Sequence, residues 1–138
     1  MNSLYQQFGT NVNYETEGVV LDFGVSKFKV RRAGGSNRRF ASVFSRLTKP
    51  YARAIQAGTM DPDKSKHLLM EVYFEAVLIE WDNVRDRDGN VMQFCKDNFI
   101  KLMSDLPDFW EAFRTACEDM RNFQDAQVEE DGEALGKA

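Results

Sequence analysis

Apolar positions between Asp61 and Asp82 recur on two sides of a helical wheel. Wound at about 100° per residue, Leu68, Leu69, Val72, Tyr73, Ala76 and Val77 share one broad face, and Met70, Phe74, Leu78 and Trp81 stand nearly opposite. Only Glu71, Glu75 and Asp82 make a polar stripe. A helix that is apolar on two sides has to be packed between other elements. The pattern therefore predicts a central buried helix over about 62–81, with Leu69, Val72, Tyr73 and Ala76 fully buried. Asp61 as a cap, Pro62 in the first turn and Asp63 at the positive end of the dipole mark its start. Glu80 falls among Leu69, Tyr73 and Ala76 on this wheel. Either the helix has ended and Glu80 reaches water, which is preferred, or the carboxylate is buried against a cation.

The segments on either side follow simpler patterns. Residues 1–17 are polar, with scattered Leu4, Tyr5, Phe8 and Tyr14, and read as an extended N-terminal arm that docks a few aromatics. Gly18 to Gly24 and Ser26 to Arg32 carry the β-branched and aromatic content of two short strands with a turn over Gly24 to Ser26, predicting a small hairpin within 18–32. Such a pair is marginal alone and must lean on helices or pair with another chain, a route to self-association. Ser36 or Asn37 can cap a helix running to about Ala57. Its apolar stripe is Phe40, Val43, Phe44, Leu47, Tyr51, Ala54 and Ile55. Pro50 interrupts the backbone bonding and predicts a kink near Arg46 to Lys49.

Asp86 to Asn90 reads as a turn tipping a short hairpin between Asn83-Val84 and Val91-Met92. A helix from Cys95 to Met103 follows. Pro107 then opens a final helix with Phe109, Trp110, Phe113, Ala116, Cys117, Met120 and Phe123 on one side. The last stretch, 126–138, holds Glu129, Glu130, Asp131 and Glu133 with little apolar content, and reads as a flexible acidic tail. The fold class is mostly α: one helical domain over 18–125 around a central helix, with a small N-terminal hairpin and flexible termini.

Length and composition sharpen this picture. The 138 residues suit one domain with a core that needs no staples. Cys95 and Cys117 have no partner spacing, so a reduced setting without metal or cofactor is expected. No basic start followed by an apolar run opens the chain, so neither signal peptide nor membrane anchor is expected. The net charge of -4 hides an asymmetry. From Lys27 to Lys66 there are eleven Lys and Arg against only Asp61 and Asp63. Opposite the apolar stripe of the helix ending near Ala57 stand Arg39, Arg46, Lys49 and Arg53, with Arg38 at the margin and no acid among them. A solvated face normally mixes signs. One sign suggests an acidic protein partner, nucleic acid, or the chain's own acidic tail. Aromatics are not interleaved on that face and the chain is acidic overall, so a protein partner is preferred.

Motifs with a catalytic or ligand-binding reading are weak. Aligning Gly89 with the glycine of a calcium loop puts Val84 first and Cys95 at the glutamate position, so two ligands are missing. Gly34-Gly35-Ser36-Asn37 with Arg38 and Arg39 could cradle a phosphate, but lacks the lysine spacing of a P-loop. His67 precedes Glu71 by one turn without a nucleophile to serve. No catalytic residue is assigned, and an enzyme is not expected.

Several short segments, in order, carry a resemblance: Leu4-Tyr5 with Phe8-Gly9, Glu17-Gly18-Val19, Arg32-Ala33-Gly34-Gly35-Ser36-Asn37, Lys49-Pro50-Tyr51 and Gln56-Ala57-Gly58-Thr59-Met60. Trp81-Asp82-Asn83-Val84, Asp88-Gly89-Asn90, Phe94, Asn98 and Asp105-Leu106-Pro107-Asp108 continue it. From about Leu4 to Phe123 the chain resembles the tail assembly chaperones of long-tailed bacteriophages. Cys95 departs from the Ser or Thr cap of that pattern. The resemblance implies a small, mostly helical, non-enzymatic protein of the host cell cytoplasm. It would bind the tape measure protein during tail morphogenesis and be absent from the mature virion. It also implies a possible frameshift-extended form that recruits the tail tube protein. Arg38, Arg39, Arg46, Lys49, Arg53, Tyr5 and Phe8 are the candidate partner-binding residues. The alternatives are a structural tail component retained in the virion, or a small nucleic-acid-binding module using helix 38–57.

Overall fold

The structure, a computed structural model, describes residues 3–125, and the expected acidic tail lies outside them. In chain order the elements are α1 (Leu4–Phe8), α2 (Val12–Glu17), β1 (Val19–Asp22), β2 (Lys27–Val30) and α3 (Arg38–Thr48). A 3-10 turn (Lys49–Tyr51) leads into α4 (Ala52–Ala57). Then come α5 (Pro62–Ala76), β3 (Leu78–Asp82), α6 (Lys96–Asp105), α7 (Pro107–Glu118) and a last 3-10 turn (Met120–Phe123). The chain is mostly helical with one small antiparallel sheet, as the sequence pattern implies. Among the described residues no helix is long and apolar enough to cross a membrane.

The central helix is shorter than its periodicity suggests. It stops at Ala76, and Leu78 to Asp82 form a third strand instead of a last helical turn and a half. The sheet order is β1-β2-β3, with Lys27 opposite Asp82, Phe28 opposite Trp81 and Lys29 opposite Glu80. Ile79 is skipped between the Lys29–Glu80 and Val30–Leu78 pairs, a bulge of the kind that lets a short strand bend. From Ile79 burial alternates along β3, with Ile79 and Trp81 half-buried and Glu80 and Asp82 exposed, while Leu78, across the bulge, is buried. Glu80 therefore reaches water because the helix has ended. Leu69, expected inside, is only half-buried, whereas Met70, Val72, Tyr73 and Ala76 are buried.

The core is aromatic. Phe28 of β2 meets Phe113 of α7 at 5.5 Å between centroids, and Phe113 meets Phe99 of α6 at 6.0 Å. Tyr73 of α5 meets Trp110 edge-on at 5.1 Å, the geometry that sets a positive ring edge on a negative face. Arg85 bridges to Val91, as the turn at Asp86 to Asn90 requires. The final helix stops at Glu118, and Phe123 is buried from the turn beyond it.

Residues 4–17 are not an extended arm. Ser3 and Gln6 form a capping box that starts α1, and Asn11 accepts from the Tyr14 amide to start α2. Nor do the first aromatics dock: Tyr5 is 90% and Phe8 60% exposed, and only Tyr14 packs against the core.

Candidate functional site

The basic helix is bent where Pro50 predicts, slightly later than expected. α3 runs to Thr48, and the 3-10 turn at Lys49–Tyr51 passes the chain to α4. Its first residue is fixed from behind. Asn37 holds the cap position without capping. It is buried, and its amide donates to the Arg32 carbonyl at 2.8 Å and the Ala76 carbonyl at 2.9 Å. The Ala76 carbonyl is one that the end of a helix leaves without an intrahelical partner, and the Arg32 carbonyl also accepts from the Gly34 amide at 3.0 Å.

Arg38, Arg39, Arg46, Lys49 and Arg53 are all exposed along α3, the turn and α4. Arg46 is not free: it pairs with Glu75 of α5. Arg38, Arg39, Lys49 and Arg53 have no ion-pair partner among the described residues. The apolar stripe of this helix is only partly covered. Val43 is buried and Phe40 packs edge-on against Tyr73 at 5.5 Å, but Phe44 is 45% and Ile55 48% exposed. Lys64 of α5 sits 4.9 Å from the Tyr51 ring, adding a cation at the bend. The helix thus carries unpaired cations on one side and, at the edge of its apolar stripe, the uncovered side chains of Phe44 and Ile55.

Tyr5 and Phe8 belong elsewhere. Gln124 donates to the Gln7 carbonyl at 3.1 Å, which holds α1 near the last 3-10 turn, while α3 packs chiefly on α5. The uncovered apolar side chains of this stretch are Phe44 and Ile55, which the periodicity alone assigns to the core. The partner-binding list therefore divides into two surfaces.

The glycine loop before α3 already holds an anion, and it is the chain's own. Glu15 of α2 is buried; its carboxylate accepts from Arg32 at 2.6 Å and from the Ser36 amide at 3.2 Å. Burial alone would raise its pKa, but the hydrogen bonds from Arg32, Ser36 and Thr10 outweigh it and hold the carboxyl below its ordinary value. Gly35 has φ +54, and a Cβ there would collide with this carboxylate, so the backbone needs glycine for both reasons. The Arg32 guanidinium also donates to the Glu118 carbonyl at the end of α7. Loop residues that could have cradled a phosphate instead bind α2 to α7.

The other motifs resolve in the same direction. The Asp86 carboxylate accepts from the Asp88 and Asn90 amides, both at 2.9 Å, so it closes its own turn. His67 and Glu71 line an open depression with Tyr51 and Asp63, and Glu71 lies 3.6 Å from Lys96. Burial and the neighbouring Glu118 push the Cys117 thiol up, so it stays protonated.

Among known proteins, a family model described as YdaY prophage protein matches residues 35–135. The match takes in the whole basic helix and most of the acidic segment after Asp125. No curated protein and no solved structure matches the chain.

Proposed function

We propose that this protein, which belongs to the YdaY prophage protein family and is phage-derived, is a non-enzymatic tail assembly chaperone that binds the tape measure protein. The observation that carries the reading is the α3–α4 ridge. The same stretch, held at its start by Asn37, carries cations without partners on one side and half-exposed Phe44 and Ile55 at the edge of its apolar stripe. Apolar side chains left in contact with water on a charged helix are ones that a protein partner can cover. A long helical client presents many similar apolar and acidic segments. Such a ridge takes them up without reading one sequence: charge speeds encounter and apolar contact holds. The chaperone acts in the host cell cytoplasm and leaves before the virion is complete. A frameshift-extended form would add a contact to the tail tube protein.

Arg39→Glu with Arg53→Glu is the test, because Arg46→Glu would set a second carboxylate against Glu75. In a pull-down with the tape measure protein of the same phage, the double variant should recover much less than wild type while keeping its far-UV dichroism. Wild-type recovery should also fall as salt rises above about 0.1 M, where exposed charges about 10 Å apart are screened. Equal recovery by both proteins would remove the basic ridge from the mechanism.

A further inference from the structure

The two edges of the sheet are built differently. Natural sheets blunt an edge with charges, a bulge or a covering segment. β3 has exposed Glu80 and Asp82 and the bulge at Ile79, and the Trp81 indole donates to the Met92 carbonyl at 3.2 Å while its ring meets Phe94 at 5.4 Å. β1 offers only Asp22. It reads Val19-Val20-Leu21-Asp22, with Val20 60% exposed, and β2 is its main neighbour.

The register says which backbone groups of β1 stand open. The Phe23 amide donates to the Ser26 carbonyl at 3.0 Å and closes the hairpin. Antiparallel bonding alternates from there. Val19 and Leu21 therefore bond to Val30 and Phe28, whereas the N–H and C=O groups of Val20 and Asp22 point away from β2. The Arg31 amide agrees with this alternation, since it donates to the Val77 carbonyl on the other side of β2 at 2.7 Å. None of the open groups of Val20 and Asp22 has a hydrogen-bond partner among the described residues.

We infer that β1 pairs antiparallel with β1 of a second copy, about a twofold axis at Leu21. The twofold registers that set open groups against open groups are centred on Val20, Leu21 or Asp22. Centring on Asp22 sets that carboxylate against its own copy, and like charges directly opposite repel. Centring on Val20 runs Phe23 onto Glu17 of the second copy, which belongs to α2 and not to a strand. Only the axis at Leu21 keeps the pairing within Val19 to Phe23. There each Val20 exchanges both bonds with Asp22 of the second copy, so every open group is used. On the core side Leu21 meets Leu21 of the second copy, and Val19 meets Phe23 of the second copy, which continues the apolar face. The edge is thus complementary to itself, as a closed twofold dimer requires, and this selects a second copy as occupant. The inference does not rest on the proposed function.

A strand pair is smaller than a standard interface, so association is expected between micromolar and millimolar concentration. Sedimentation equilibrium of the full chain over that range reads the mass, and amide exchange with water reads the edge. Average mass should rise from one chain toward two. Protection of the Val20 and Asp22 amides should rise with it, while the Leu21 amide is protected throughout. Val20→Glu sets a carboxylate opposite Asp22 of the second copy on both sides of the axis, yet faces Lys29 within its own chain, so the hairpin is kept. Association should weaken about fivefold or more. Val20→Pro removes the open donor without touching a bond to β2 and should weaken it too. Val91→Glu, at a valine 64% exposed away from this edge, should leave it unchanged. A mass of one chain throughout, growth past two chains, or equal loss on Val91→Glu would overturn the pairing. So would Val20 and Asp22 amides protected at every concentration, as for an edge covered by its own chain, or unprotected in the dimer, as for contact through another surface.

Discussion

In sequence α5 is apolar on two sides and the α3–α4 stretch on one, yet the fold covers the broader apolar surface and leaves part of the narrower one open. α5 is covered by α3 on one side and α6 on another, and it feeds directly into β3. The α3–α4 stretch has α5 as its main neighbour, and the edge of its stripe, Phe44 and Ile55, stays in contact with water. An apolar stripe records what a helix face would gain by leaving water. Whether it leaves depends on how many neighbours the rest of the chain supplies. Where they run out, the remainder is available to a partner.

The sharpest way to break this comparison is to truncate the core side of it. Phe113→Ala removes a fully buried ring that touches Phe28, Phe99 and Trp110, and should cost about 3–5 kcal/mol in denaturant unfolding. A loss under about 1 kcal/mol would mean that the aromatic core is not the stabilising unit.

A smaller effect is expected where the two regions are joined. Glu15→Gln weakens the charged hydrogen bonds that link α2 to the loop before α3, and should cost about 1.5–3 kcal/mol near neutral pH. Because the native carboxyl sits below its ordinary value of 4.5, its contribution is fully present above that pH and is lost as pH falls through the lower native value. The stability gap between wild type and Glu15→Gln should therefore narrow on acidification below pH 4.5. A gap that stays constant to acid would show that the carboxylate charge is not what binds.

The smallest stability effect belongs to the exposed side. Phe44→Ala and Ile55→Ala together should cost about 1 kcal/mol or less, while recovery of the tape measure protein falls clearly. A large stability loss with unchanged recovery would reassign these side chains to the core.

Much of the helical layout was legible because long stripes with caps and breakers speak for themselves. Pro50 marks the bend and Pro107 the start of the last helix. β3 was not, since Leu78 and Trp81 continue the helical spacing of α5; the misfit of Glu80 on the wheel was the available signal. The two short N-terminal helices were hidden for another reason. Five or six residues carry too little periodicity, and their evidence lies in the Ser3–Gln6 and Asn11 caps. At the candidate site, the cations were legible from their single sign. Their separation from Tyr5 and Phe8 was not, because it depends on where Gln124 and α5 hold the two helices.

The sheet carries a consequence for the order of folding. β1 and β2 are neighbours in sequence, so their hairpin can form within microseconds. β2 and β3 are separated by the three helices between Val30 and Leu78, and a loop of that length closes only at an entropic cost that must be met before its contacts form. During synthesis the inner edge of β2 therefore waits, unpaired, until Asp82 has left the ribosome. That interval is when a nascent chain is most exposed to mispairing with another copy, and slower translation through α5 would lengthen it.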